Sequence, residues 1–194
     1  MGARRRRALR LGWATRLAAG LAAALCLAPA SEATAAGPNP AMEYAVKATY
    51  LYKFAPFVEW PANAFPSPTS PLYLCVLGDD PFDGTLDTAV SGQKVDRHPV
   101  VVLRMQKIDG GTRCHILYLA PSRAQSGPEA LHSIRGRPVL TVTEQGQGPG
   151  GAVIQFVLKD NRVRFDIDTT AAAANGMTIS SKLLGLANAV KAGS

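Results

Sequence analysis

Between Tyr44 and Pro61 (YAVKATYLYKFAPFVEWP), Tyr44, Ala48, Leu51, Tyr52, Ala55 and Val58 recur at three- and four-residue steps, which places them along one helical stripe. The spacing predicts an amphipathic opening helix. It should loosen near Pro56, whose ring lacks an amide donor and clashes with the preceding turn, and stop before Pro61. Phe57, Glu59 and Trp60 then fall at the helix exit. Aromatic side chains there either close the edge of the core or face a ligand or partner.

Downstream the period changes. After a Pro/Ser-rich connector, Phe65 to Pro71, come four short apolar runs: Leu72 to Leu77 (LYLCVL), Pro99 to Arg104 (PVVVLR), Cys114 to Ala120 (CHILYLA) and Val139 to Thr143 (VLTVT). All four predict strands; Leu72 to Leu77 reads as a buried one, and Cys114 to Ala120, continuously apolar, as a central strand covered on both faces. Helices fit between them. One is capped by Asp80, has Pro81 as its first residue and runs to Val90 before Ser91-Gly92; a shorter one spans Glu129 to Ile134. Gln145 to Gly151 (QGQGPGG) reads as a flexible loop. Alternating strand and helix around buried strands predicts an α/β fold, a three-layer sandwich on a mainly parallel central sheet.

The last third has another pattern. Ala152 to Leu158, a turn at Lys159-Asp160-Asn161, and Val163 to Ile167 predict a C-terminal antiparallel hairpin. Arg162, Arg164, Asp166 and Asp168 alternate with Val163, Phe165 and Ile167, so the four charges share one face. That face is either an ordinary solvated surface with cross-strand ion pairs or a binding surface. A short helix over Thr170 to Asn175 ends at Gly176. Ser180 then caps a last amphipathic helix through Leu183, Leu184, Ala187 and Val190.

Composition separates the first 35 of the 194 residues from the rest. Arg4 to Arg7 and Arg10 precede the apolar run Leu17 to Ala28, and Ala33-Thr34-Ala35 offers a small-x-small cleavage pattern, so residues 1–35 read as a secretory signal peptide. Residues 36–194 read as a single domain. Six of the 21 basic and one of the 14 acidic residues lie in the leader, leaving 15 and 13, a net of +2. The high isoelectric point therefore belongs mostly to the leader and carries no nucleic-acid inference. Two cysteines remain, Cys75 and Cys114. In an exported chain an even pair suggests a disulfide, the other reading being two buried thiols in neighbouring strands.

The residues do not assemble a catalytic pattern. His98, His115 and His132 lack metal-ligand spacing, and no GxSxG elbow, HExxH or Walker loop occurs, so neither an enzyme nor a metal or cofactor site is expected. His115, inside an apolar strand, reads as a satisfied core residue. Asp79 and Asp80 follow a central strand at its carboxyl end, where open α/β sheets bind ligands, though capping alone accounts for them.

Six stretches in this order resemble the YfiR family of periplasmic regulators: the opening YAVKATYLYKFAPFVEWP, LCVLGDDPF (Leu74 to Phe82), CHILYLA, VLTVTE (Val139 to Glu144), VRFDID (Val163 to Asp168) and ISSKLLGLANAV (Ile179 to Val190). The resemblance implies an α/β fold, homodimerisation and a non-enzymatic role in the periplasm. Proteins of this kind bind the periplasmic domain of a membrane-bound diguanylate cyclase, YfiN, and hold it inactive, lowering cyclic di-GMP and restraining biofilm formation. A lipoprotein of the outer membrane, YfiB, can sequester the repressor. Cys75 and Cys114 match the family's strand cysteines, which supports a structural disulfide. A second cysteine pair found in some members is missing around Gln145 to Leu158, which puts redox control of repression in question. Phe57, Glu59 and Trp60 with Arg162, Arg164, Asp166 and Asp168 are the expected partner- or ligand-binding residues. The competing expectation is a periplasmic small-molecule-binding sensory module signalling to a histidine kinase or transporter, with Asp79 and Asp80 as natural contacts.

Overall fold

The computed structural model describes residues 39–192; the leader expected over residues 1–35 lies outside them. The chain enters α1 (Pro40–Phe54) through Asn39, whose side-chain oxygen accepts a hydrogen bond from the Ala41 N–H at 3.0 Å. Asn followed by Pro is a favourable cap and first-residue pair, which starts the helix four residues before Tyr44. At its other end the helix tightens into a single 3-10 turn, Ala55–Phe57, around Pro56. Val58 and Glu59 are already extended as β1. Val58 is therefore buried through a strand, whereas Ala48, Leu51 and Ala55 are buried by the helical stripe.

The remaining elements are β2 (Leu72–Leu77), α2 (Gly84–Val90), β3 (Lys94–Val95), β4 (His98–Met105), β5 (Ile116–Leu119), α3 (Gly127–Ser133), β6 (Leu140–Glu144), β7 (Ile154–Lys159), β8 (Arg162–Asp168), α4 (Thr169–Ala174), β9 (Thr178–Ile179), α5 (Ser181–Leu184) and β10 (Ala189–Lys191). Eight strands form one sheet in the order β10-β8-β7-β6-β5-β2-β4-β3. Its neighbours run parallel except at two places, the β7–β8 hairpin and the short β3–β4 pair. The class is α/β, and the layers are helix, sheet, helix. Strand alternation divides the core between the two faces. Leu72, Leu74 and Val76 of β2 join α1 and α2 in the larger core, while Cys75 and Leu77 face α3 in the smaller one.

Parallel β6 and β7 are joined without a helix. Residues 145–153 cross the α3 side of the sheet instead, and glycine makes the path possible. A Cβ at Gly148 would lie 2.5 Å from Thr143, and one at Gly127 would lie 2.6 Å from the ring of Pro149. A separate two-stranded pair, β1 with β9, ties the exit of α1 to the C-terminal region; the Ser180 N–H donates to the Phe57 carbonyl at 2.9 Å just beyond it.

Two expectations are corrected. α2 begins at Gly84 and not at Pro81, because the Asp80 carboxylate accepts from the Phe82 N–H at 2.7 Å in a tight turn, and Asp83, at φ 48°, interrupts any helix before it. The last amphipathic helix is one turn, α5, capped by Ser180. The chain leaves it at Gly185 and becomes β10, parallel to β8, with the Asn188 N–H on the Phe165 carbonyl at 2.8 Å and its side-chain amide on Asp166 at 2.7 Å. The open hydrogen-bonding edge of β8 outweighs the local helical period. Val190 accordingly sits exposed on an edge strand.

Candidate functional site

The aromatic exit of α1 folds back on the sheet. The Trp60 indole N–H donates to the Ala55 carbonyl at 3.2 Å, and its ring meets Phe65 and His115 edge-on, with centroids 5.9 and 6.1 Å away. Phe65 stacks against both His98 (4.0 Å) and His115 (4.3 Å). Buried His115 accepts from the Tyr73 N–H at Nδ1 (3.0 Å) and donates from Nε2 to the Ala64 carbonyl (3.0 Å). That pair of partners requires the neutral Nε2–H tautomer, and burial lowers the pKa below the usual imidazole value. His115 is a satisfied core residue. Phe57 and Trp60 are half-buried against the larger core, and Glu59 is exposed.

Beside this cluster, at the amino-terminal ends of β2, β5 and β6, lies a cavity of about 500 Å³ lined in part by Tyr73, Arg113, Cys114, His115 and Arg137. Cys114 is bonded to Cys75 across a Cα separation of 5.9 Å, so the expected disulfide forms one wall. The Arg137 guanidinium donates to the carbonyls of Asp109 (3.2 Å) and Thr112 (2.6 Å), whereas exposed Arg113 has no side-chain partner among the described residues. The acidic pair lies at the other end of the sheet. Asp80 binds Arg104 at 2.6 Å, and Arg104 also reaches Asp87 at 2.5 Å, while Asp79 is exposed. Neither Asp79 nor Asp80 lines the cavity.

Three of the charged residues of β8 share a face, but not the face that holds Trp60. Phe165 and Ile167 enter the larger core, so Arg164, Asp166 and Asp168 lie on the α3 side of the sheet, away from Phe57 and Trp60, while Arg162 stands at the start of the strand. Arg162 and Arg164 are exposed. Asp168 caps α4 by accepting from the Ala171 N–H at 2.9 Å and pairs with Lys191 at 3.0 Å. Its burial alone would raise its pKa, but these partners outweigh burial and hold the carboxyl below its usual range. Asp166 and Asp168 line a cavity of about 320 Å³ beside Gly150 and Gly151 of the glycine loop, with Thr143 beneath. The Thr143 hydroxyl is buried there without a hydrogen-bond partner among the described residues. Arg162 lines a different groove, next to Met42, Val46 and Leu158. The structure thus splits the expected site residues into three places.

A family model described as YfiR/HmsC-like matches residues 44–188, a span that runs from inside α1 to the end of the turn after α5. The chain belongs to the YfiR/HmsC-like family. Membership suggests a periplasmic regulator of diguanylate cyclase signalling, built on a regulatory rather than a catalytic domain. The Cys75–Cys114 disulfide suits an oxidising compartment.

One polar cluster of this YfiR/HmsC-like domain escaped the sequence reading. Lys47 is only 3% exposed and pairs with Glu43 one turn earlier and with Glu144, at the end of β6, at 3.0 Å. The Tyr118 hydroxyl donates to the same Glu144, and the Lys47 ammonium lies 4.6 Å from the centre of the Tyr44 ring. Burial pulls the Lys47 pKa down, but hydrogen bonds to the two carboxylates raise it above its usual value. Burial, then the Glu144 charge, pushes the Tyr118 hydroxyl far up. The cluster bolts α1 to the carboxyl ends of β5 and β6. Its signal was present: Lys47 interrupts the apolar stripe between Tyr44, Ala48 and Leu51, with Glu43 four residues before it.

Proposed function

We propose that this chain is an exported repressor, freed of residues 1–35, that binds the periplasmic domain of a YfiN-like membrane diguanylate cyclase. Bound, it holds the cyclase inactive, lowering cyclic di-GMP and restraining biofilm formation. The observation that carries this reading is the YfiR/HmsC-like match over residues 44–188. Such a protein needs no reacting group; it must bind the inactive state of its partner more tightly than the active one. The proposed contact residues are Phe57, Glu59 and Trp60 together with Arg162, Arg164, Asp166 and Asp168. The proposal includes a homodimer and release through a YfiB-like lipoprotein. The test is capture of the diguanylate cyclase from detergent-solubilised membranes of the protein's own host. Wild type retains the cyclase, and charge reversal at Arg164 and Asp166 weakens retention. No retention by wild type overturns the reading, and unchanged retention by the variant removes β8 from the surface.

One observation favours a second reading, a small-molecule sensor acting on a histidine kinase or transporter: the cavity of about 500 Å³ beside Arg113 and Arg137. It would replace the first reading if no cyclase were captured while a small molecule raised the melting temperature.

A further inference from the structure

α1 is apolar on two sides and packed on one. Ala48, Leu51 and Phe54 enter the larger core. On the outward side Met42 is 69% and Val46 39% exposed, and Leu158 at the end of β7 joins them at 48%. Two adjoining depressions of about 320 and 460 Å³ share Met42 and Val46, which makes a continuous groove along α1 and the tip of the β7–β8 hairpin. A surface helix ordinarily carries polar residues opposite its buried stripe, whereas α1 exposes Met42 and Val46 there, with Thr49 and Lys53 beside them. The outward side of α1 therefore reads as a face with a partner still to come.

The shape and charge of the groove say what kind. Met42, Val46 and Tyr50 form one row at four-residue steps, and Ala45, Thr49 and Lys53 form the next; a groove between such rows takes the ridge of a second helix. The 15 residues of α1 give it a length of about 22 Å, which suits a helix better than a small molecule. Two cations border the groove, Lys53 and Arg162, and neither makes an ion pair among the described residues. The acid in its lining, Glu43, is occupied by Lys47. A second copy docked across a two-fold axis would set these cations against each other, so the face is complementary to an acidic partner and not to itself.

We infer that this groove receives an amphipathic helix of the repressed membrane protein, its apolar stripe seated on Met42, Val46 and Leu158 and its carboxylates beside Lys53 and Arg162. This deepens the repressor reading by adding a groove to the contacts proposed for the partner, of which it shares Arg162, and it rests on that reading. The test places a photo-crosslinking phenylalanine analogue at Val46, with a control at exposed Arg135, in the full chain expressed in its host, and sequences the joined peptides by mass spectrometry. The expected result is a crosslink from position 46, absent from position 135, to a cyclase segment in which carboxylates flank an apolar helical stripe. In parallel, the double variant Lys53→Glu, Arg162→Glu should bind the cyclase about tenfold more weakly with its melting temperature unchanged. Crosslinks to a second copy, to residues 1–38, or to nothing overturn the inference. Crosslinks to an acidic amphipathic helix of some other membrane protein uphold the groove and overturn the cyclase reading alone.

Discussion

The centre of the sheet and its β10 end are built to different rules. At β2, β5 and β6 each strand is buried on both faces, the disulfide joins β2 to Cys114, two residues before β5, and the one buried imidazole has both nitrogens partnered. At β7, β8 and β10, Ile154, Phe156, Phe165 and Ile167 are buried against α1 but Leu158 is not, the opposite face carries Arg164, Asp166 and Asp168, and the edge strand is exposed throughout. Burial and covalent closure make the centre rigid. Exposed charge and uncovered apolar side chains leave the β10 end open to solvent. If the proposed contacts are right, stability and binding are held by separate residues, and each can be altered without the other.

The strongest way to break that comparison is to open the disulfide. It closes a separation of 39 residues, so Cys75→Ala with Cys114→Ala should lower stability by about 4 kcal/mol in denaturant unfolding. A loss below about 1 kcal/mol would mean that the centre is not the stabilising half. Next is Lys47→Met, which leaves Glu43 and Glu144 without their cation; about 3 kcal/mol should be lost. Tyr118→Phe should cost about 1–2 kcal/mol by removing one donor from buried Glu144. A smaller effect is pH-dependent. His115 is neutral when folded, with a pKa lowered by burial, whereas the unfolded chain takes up a proton near the usual 6.5. The unfolded state then binds more protons, so this stabilisation is complete above the unfolded pKa and is lost as pH falls from about 6.5 toward the folded value. Melting temperatures followed from pH 7.5 to 5.5 should decline, and His115→Gln should flatten the decline. The smallest effect on folding is expected at the β10 end. Leu158→Ser should change stability by no more than about 0.5 kcal/mol while weakening partner capture, and a large loss of stability there would collapse the distinction between the two regions.

Legibility in the sequence follows the same division. β2 and β5 were plain because strands buried on both faces show as unbroken apolar runs, β6 because of its β-branched Val and Thr residues, and the hairpin because one face is buried and the other charged. β3 was missed, being two residues long with no periodicity to show. β10 was misread as helix, since what makes it a strand is the unpaired edge of β8, a tertiary partner that local spacing cannot reveal. For the site, alternation put Arg164, Asp166 and Asp168 on one face, but Arg162, at the start of β8, lines the groove beside α1. Alternation could not tell which face, and so paired them with Phe57 and Trp60 across the thickness of the sheet. Lys47 was visible as a break in a stripe, but Glu144, its distant partner, comes to it only through the packing of α1 on β6.

The central claim is repression of a membrane cyclase, and the most direct measurement is cyclic di-GMP synthesis by host membranes containing the cyclase, titrated with the purified protein. Synthesis should fall to a low plateau as wild type is added and stay near its starting rate with Val46→Asp, Leu158→Asp, a variant whose melting temperature should match wild type. Synthesis unchanged at saturating wild-type protein would contradict it.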